Sequence, residues 1–120
     1  MNYLFTKDVT IASSGTQSTA LTLDGAFTLV GFIMPAAFTG TSLTVQQSMD
    51  ERDASNSSWT PTNWYNAYDD GGNAVTFTVS TSRFINVSQN VLLASRHLRF
   101  VSGSTEGAAR TITCVFRAVG

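Results

Sequence analysis

Few residues in this chain have side chains that could carry out a reaction. His97 is the only histidine and Cys114 the only cysteine. A hydrolytic centre needs a nucleophile held against a base, so any such centre would have to be assembled around His97. No Gly-x-Ser-x-Gly nucleophile elbow is present to receive it. His97 follows Arg96, a cation that disfavours the protonated imidazole, and alternation with Leu98 assigns it to a surface or rim position. Cys114 lies between Thr113 and Val115, on the inward side of its strand. A thiol in apolar surroundings stays protonated and packs as a small hydrophobe.

Metal and phosphate chemistry fare no better. One Cys and one His cannot complete a four-ligand zinc site. The clusters Asp50/Glu51/Asp53 and Asp69/Asp70 offer the oxygen ligands calcium takes. They lack the Asp-x-Asp-x-Asp-Gly spacing and the distal glutamate, and are read as solvated turn carboxylates. No phosphate loop or dinucleotide fingerprint occurs. The sequence predicts a non-enzyme with no catalytic residue, cofactor or metal.

Side chains suited to adhesion are better represented. Six of the seven basic residues are arginine, whose planar fork suits interfaces. Trp59, Trp64, Tyr65 and Tyr68 could form a stacking platform for sugars, although Trp64 and Tyr68, four apart on one strand face, read rather as core. Tyr3, Leu4 and Phe5 make the N-terminus apolar. The candidate interface residues are therefore Tyr3, Leu4 and Phe5 at the start of the chain, then Arg52, Trp59 and Trp64. Arg99 and Arg117 complete the set. The Asn-x-Ser triplets at Asn56 and Asn86 matter only in a eukaryotic secretory pathway and are read as chance.

These residues must be positioned by strands. At 120 residues the chain fits one domain spanning 1–120, burying roughly two-thirds of its unfolded surface. Only 12% of residues are charged, about half the usual share, and serine and threonine solvate the surface instead. The net charge of -1 provides no field to attract nucleic acid or an anionic membrane. A single cysteine permits no intrachain disulfide. The N-terminus shows no signal-peptide pattern, and no apolar run reaches the length of a membrane helix.

Short alternating runs recur about every ten residues between turn clusters, the signature of a sandwich or barrel. Strands are predicted near 3–11, 18–23, 27–34, 42–48, 63–68, 74–79, 83–87, 96–101 and 110–118. Alternation turns Leu43, Val45, Val75, Phe77, Val79, Leu98, Phe100, Ile112, Cys114 and Phe116 inward. The run 27–34 is apolar on both faces, as befits either a strand covered on both sides or a subunit interface. Asp24-Gly25 and the Asp69–Asn73 cluster supply turns. Residues 48–63 form a connection longer than most, with its tip exposed and its aromatics either folded back as a lid or offered to a neighbour. The expected fold is all-β: an antiparallel two-sheet β-sandwich, jelly-roll-like.

The order of several segments adds a resemblance. They are Ser18-Thr19-Ala20-Leu21-Thr22-Leu23, then Leu29 through Phe38 with its Met34-Pro35-Ala36-Ala37, and Thr39 through Ser48. Tyr68-Asp69-Asp70-Gly71-Gly72-Asn73 and Ser82-Arg83-Phe84-Ile85 follow. Leu98-Arg99-Phe100-Val101-Ser102-Gly103-Ser104 and Ala109 through Thr113 close the series. In this order the chain resembles small virion-associated β-sandwich proteins of tailed bacteriophages, over most of its length after the first dozen residues. Residues 49–64 are longer than the matching segment of those proteins.

That resemblance implies a capsid decoration, or cement, protein made in the host bacterial cytoplasm and placed on the capsid surface of the virion. It implies binding to the phage major capsid protein and self-association, with a homotrimer favoured. Many weak contacts repeated by symmetry would supply the adhesion. The alternative is a tail, neck or head-fibre module binding host glycans through Trp59 or Trp64. Expected contact regions are Met1–Ile11, the 49–64 loop and the arginine-bearing strand ends. Residues 1–11 are read as an N-terminal arm or an edge strand, removable through residue 8 without unfolding the domain.

Overall fold

The computed structural model describes residues 4–23, 27–88 and 95–118. Nine strands lie among them. They are β1 (Leu4–Ile11), β2 (Leu21–Thr22), β3 (Phe27–Ile33), β4 (Ser42–Ser48), β5 (Tyr65–Asn66), β6 (Thr76–Thr78), β7 (Phe84–Asn86), β8 (His97–Ser102) and β9 (Arg110–Ala118). Each coincides with a run of alternating or β-branched residues in the sequence. The expected Asp24-Gly25 turn and Tyr3 lie outside the described residues.

The strands form two antiparallel sheets packed as a β-sandwich. The first has the order β1-β9-β3-β7; the second runs β2-β8-β4-β5, with β6 also on β4. From β1 to β4 the chain changes sheet at every step, which places sequence neighbours on opposite layers.

Alternation settles the core. Val9, Ile11, Leu29, Phe32, Ile112, Cys114 and Phe116 of the first sheet are buried, as are Leu21, Leu43, Val45, Leu98 and Phe100 of the second. Phe32 and Phe100 meet across the two layers with ring centroids 4.9 Å apart. Burying each such ring contributes about 1.5–3 kcal/mol. The predicted inward residues Val75 and Val79 are buried and Phe77 is half-buried, while Thr76 and Thr78 point to solvent.

The doubly apolar strand β3 has a specific explanation. It lies between β9 and β7, and its register on β9 slips between Leu29 and Gly31. Val30 is the extra residue of this β-bulge. The slip lets Leu29 and Phe32, three apart, both face the core. It also turns Gly31 and Ile33 outward beside Val115 and Thr113. Gly31 is needed there: a Cβ would stand 2.7 Å from the Phe84 ring and 3.0 Å from the Ile85 carbonyl oxygen.

Beside β4, strands β5 and β6 are two pieces of one line. Asn66 and Tyr65 pair with Gln46 and Gln47, and Thr76, Phe77 and Thr78 pair with Thr44, Leu43 and Ser42. The intervening residues leave the sheet as a small hairpin, bridged between Tyr68 and Ala74. Its tip follows the predicted turn chemistry. The Asp69 carboxylate accepts the N–H groups of Gly71 and Asn73, each at 2.9 Å, and Gly72 adopts φ 82°.

Candidate functional site: the two outer faces

A sandwich displays two outer faces, and the residues singled out in the sequence divide between them. On the second sheet the outer side chains of β8 are His97 and Arg99, and the 49–64 connection folds back over both. His97 is not a rim residue: it is 1% exposed. Alternation does point it away from the core, but the Trp59 ring covers it with centroids 5.4 Å apart. Its Nε2–H donates to the Asp50 main-chain oxygen at 2.9 Å, which fixes the tautomer. Nδ1 is then the acceptor for the Thr22 hydroxyl at 3.0 Å. Both ring nitrogens are engaged in holding structure.

The base of the loop is closed by Asp50. Its carboxylate accepts the N–H groups of Thr62 at 2.8 Å and Asn63 at 3.0 Å, and the Asn63 side-chain amide at 2.9 Å. The Asn63 and Thr62 bonds hold the Asp50 carboxyl at about 2, below its ordinary 3.8. Ser48 Oγ accepts the Asp50 N–H, and Asp53 accepts the Ser55 N–H and hydroxyl. The result is a closed loop with nearby ends, the Ω type, which is often functional.

Arg99 lies beside this loop. Its guanidinium sits 4.3 Å from the centroid of the Trp64 ring, within cation–π range. Its Nε donates to Gln46 Oε1 at 2.7 Å, and Trp64 Nε1 donates to the Pro61 carbonyl. Burial lowers the Arg99 pKa, yet an arginine remains charged in proteins. Two adjoining depressions open between residues 18–22 and the far end of the loop. One, about 350 Å³, reaches Thr22, Arg52 and Trp59. The other, about 270 Å³, reaches Ser18, Trp64 and Arg99. Thr19, Ala20, Thr60 and Pro61 line both. Four of the predicted interface residues thus converge on one groove. Tyr65 and Tyr68 remain exposed outside it.

The outer face of the first sheet gathers a different group. Leu4 and Arg117 are cross-strand partners and line a depression of about 320 Å³ with Val30, Phe84, Val87 and Val115. Leu4 is 52% exposed, Phe84 53% and Ile33 37%. Phe84 was not among the sequence candidates: it reads as one more aromatic in a short strand until Gly31 is seen to receive its ring.

Phe5, a candidate interface residue, is partly buried and packs against the core, stacked on Phe116 at 5.0 Å and edge-on to Phe27 at 4.5 Å. Of the two readings of the N-terminal segment, arm or edge strand, residues 4–11 take the second. They form the edge strand β1, paired with β9 from Leu4↔Arg117 to Ile11↔Arg110.

The residue that sequence reasoning missed is Glu106, which is fully buried. It accepts the Thr39 N–H at 2.8 Å, the Arg110 Nε at 3.0 Å, the Gly40 N–H at 3.0 Å and the Ser102 hydroxyl at 3.1 Å. Burial alone would raise its pKa. The Thr39, Arg110, Gly40 and Ser102 bonds together outweigh that and leave it lowered. Gly40 is packed so closely that a Cβ would collide with Ser102 Oγ. The one sequence cue was an acid four residues before Arg110.

Cys114 is fully buried. Desolvation, reinforced by the nearby Asp8 charge, pushes its thiol up to about 12. Among the described residues no three His, Cys, Asp or Glu side chains come together to hold a metal ion. The acidic clusters are engaged locally, Asp50 in the loop and Asp69 in its turn. Comparison with known proteins finds no matching family model, curated protein or solved structure.

Proposed function

We propose that this chain is a structural virion protein, a capsid decoration protein of a tailed bacteriophage. It adheres to the major capsid protein through the outer face of its first sheet. The observation that carries this reading is the pair of exposed residues Leu4 and Phe84 around the apolar floor of Val30, Val87 and Val115, with exposed Ile33 beside Phe84 as its cross-strand partner. Large apolar side chains gathered on a sheet face whose fellow surfaces are hydroxyl-rich mark an interaction site. Arg117 lies at the edge of the cluster, and among the described residues no carboxylate pairs with it. A cation beside an apolar patch suits a partner surface with apolar knobs and an acidic rim.

The topology supports the same reading. With β5 and β6 counted as one interrupted strand, the sheet orders are β1-β9-β3-β7 and β2-β8-β4-β5/β6. We read that order as the eight-strand arrangement of a jelly roll, an architecture used in viral capsid proteins. Self-association as a trimer would repeat the contact by symmetry, so that modest adhesion at each copy becomes strong attachment.

The test is rebinding. Purified particles should carry this chain in stoichiometry comparable to the major capsid protein; a copy number fit only for a single ring would place it at the neck or tail. Particles stripped of it should take up the wild type and lose affinity for Phe84→Asp at least tenfold. Equal uptake of the two proteins would overturn the assignment of this face.

A further inference from the structure

The groove on the opposite face is a separate site, and its lining indicates a class of ligand. We propose that it binds an acidic oligosaccharide, with sugar rings against Trp59 and Pro61 and sugar carboxylates on Arg52 and Arg99.

Three observations carry this. First, the groove has an arginine toward each end, Arg52 in one depression and Arg99 in the other. Among the described residues neither pairs with a carboxylate. Arg96, nearby, does have such a partner in Glu51 at 3.7 Å. Arg99 spends its Nε on Gln46 and one face on Trp64, and among the described residues its terminal nitrogens have no partner. A guanidinium held in place by stacking, with its fork free, is pre-set to receive a carboxylate bidentately.

Second, the floor and walls alternate hydroxyl and apolar groups. Thr19, Thr22 and Thr60 are interleaved with Ala20, Pro61 and Trp59. Sugar rings present the same alternation, with hydroxyls at the rim and C–H groups on the faces. Trp59 is fixed by His97 beneath it and Trp64 by its bond to Pro61, so little side-chain entropy is lost on binding.

Third, part of the main chain along the wall is already engaged. The N–H groups of Ser18, Thr19 and Leu23 donate to Phe100, Thr10 and Arg96. A peptide entering as an added strand depends on such groups being free, and at Ser18 and Thr19 of the wall they are not. This disfavours an acidic peptide, which would otherwise satisfy the same two arginines.

The measurement is calorimetric titration of the full chain with oligogalacturonate, a neutral cello-oligosaccharide and an acidic hexapeptide. Saturable binding of oligogalacturonate is expected, with at least tenfold weaker binding of the other two. Arg52→Ala should weaken it at least tenfold. Arg52 is exposed, so this variant is expected to keep its fold, which circular dichroism checks. Trp59→Phe should weaken it as well while keeping His97 covered. No binding of oligogalacturonate at millimolar concentration overturns the proposal. So does equal binding of the neutral sugar, preference for the peptide, or an Arg52→Ala variant that binds like the wild type. Particle rebinding through Phe84 is read separately, so either site can fail without the other.

Discussion

Asp50 and His97 are joined through the main chain of one and the ring of the other: the Asp50 carbonyl oxygen accepts the His97 Nε2–H at 2.9 Å. The carboxylate of the same Asp50 is turned the other way, toward Thr62 and Asn63. One residue therefore pins the loop to the sheet beneath it and the loop's far end to its beginning. Four predictions follow from this and the neighbouring contacts.

The loop should resist acid. The Asp50 carboxyl is depressed to about 2 from 3.8. A depressed acid stabilises the folded loop above its unfolded value, and that contribution is lost as pH falls through the folded one. The amide resonances of Thr62 and Asn63, followed by NMR from pH 6 downward, should titrate near pH 2. A midpoint near 4 would contradict the bonding described.

Glu106 should be the most sensitive polar position in the domain. Glu106→Ala leaves two N–H groups, a hydroxyl and Arg110 without their acceptor, at a cost of about 3–5 kcal/mol. Glu106→Gln keeps the shape and should cost about 1–3 kcal/mol. Because the native carboxyl is held low, its contribution is complete above the unfolded value of about 4.3. It fades as pH drops through the folded value. Urea unfolding at pH 7 and in acid should therefore show the gap between wild type and Glu106→Gln narrowing on acidification.

Deleting residues 1–8 should unfold the domain rather than release an arm. The truncation removes the pairs from Leu4↔Arg117 to Asp8↔Thr113 and takes Phe5 away from Phe116 and Phe27. Circular dichroism and thermal melting should show loss of the cooperative transition. A truncated chain melting within a few degrees of the full one would return β1 to the status of an appendage.

Cys114 should be silent toward thiol reagents in the native state. Its thiol is fully buried and lifted to about 12, so the reactive thiolate is absent near neutral pH. Labelling with a disulfide reagent at pH 8 should proceed at the rate of global unfolding and become immediate in denaturant. Prompt labelling of the folded chain would show that the strand pairs around it open locally.

Strand positions were legible in the sequence because each strand alternates over a layer with one dry face, and hydroxyl residues mark the wet one. Ser42–Ser48 and Arg110–Ala118 emerge at the residues where the pattern places them. The same rule misled at His97, where the side facing away from the core is dry too, since a loop covers it. Periodicity reports which side of a strand a residue occupies and is blind to what a distant segment lays over that side. Leu29 and Phe32 break the period for another reason, the extra residue Val30. Of the interface candidates, Arg52, Trp59, Trp64 and Arg99 converge in space. That Phe5 packs against the core was not legible, because an apolar segment looks the same whether it pairs or dangles. Glu106 carries no periodic signal at all, since its surroundings come from residues 39, 40, 102 and 110, brought together only by the fold.

The margins of the two sheets differ greatly in length. β2 and β5 have two residues each and β7 three, while β1 has eight. Ribbons of joined molecules grow only where both flanks of a layer offer a long row of free amides and carbonyls. Among the described residues one flank of one layer qualifies, so backbone-to-backbone joining through it would end with a pair. A threefold assembly of these molecules has to be cemented by side chains.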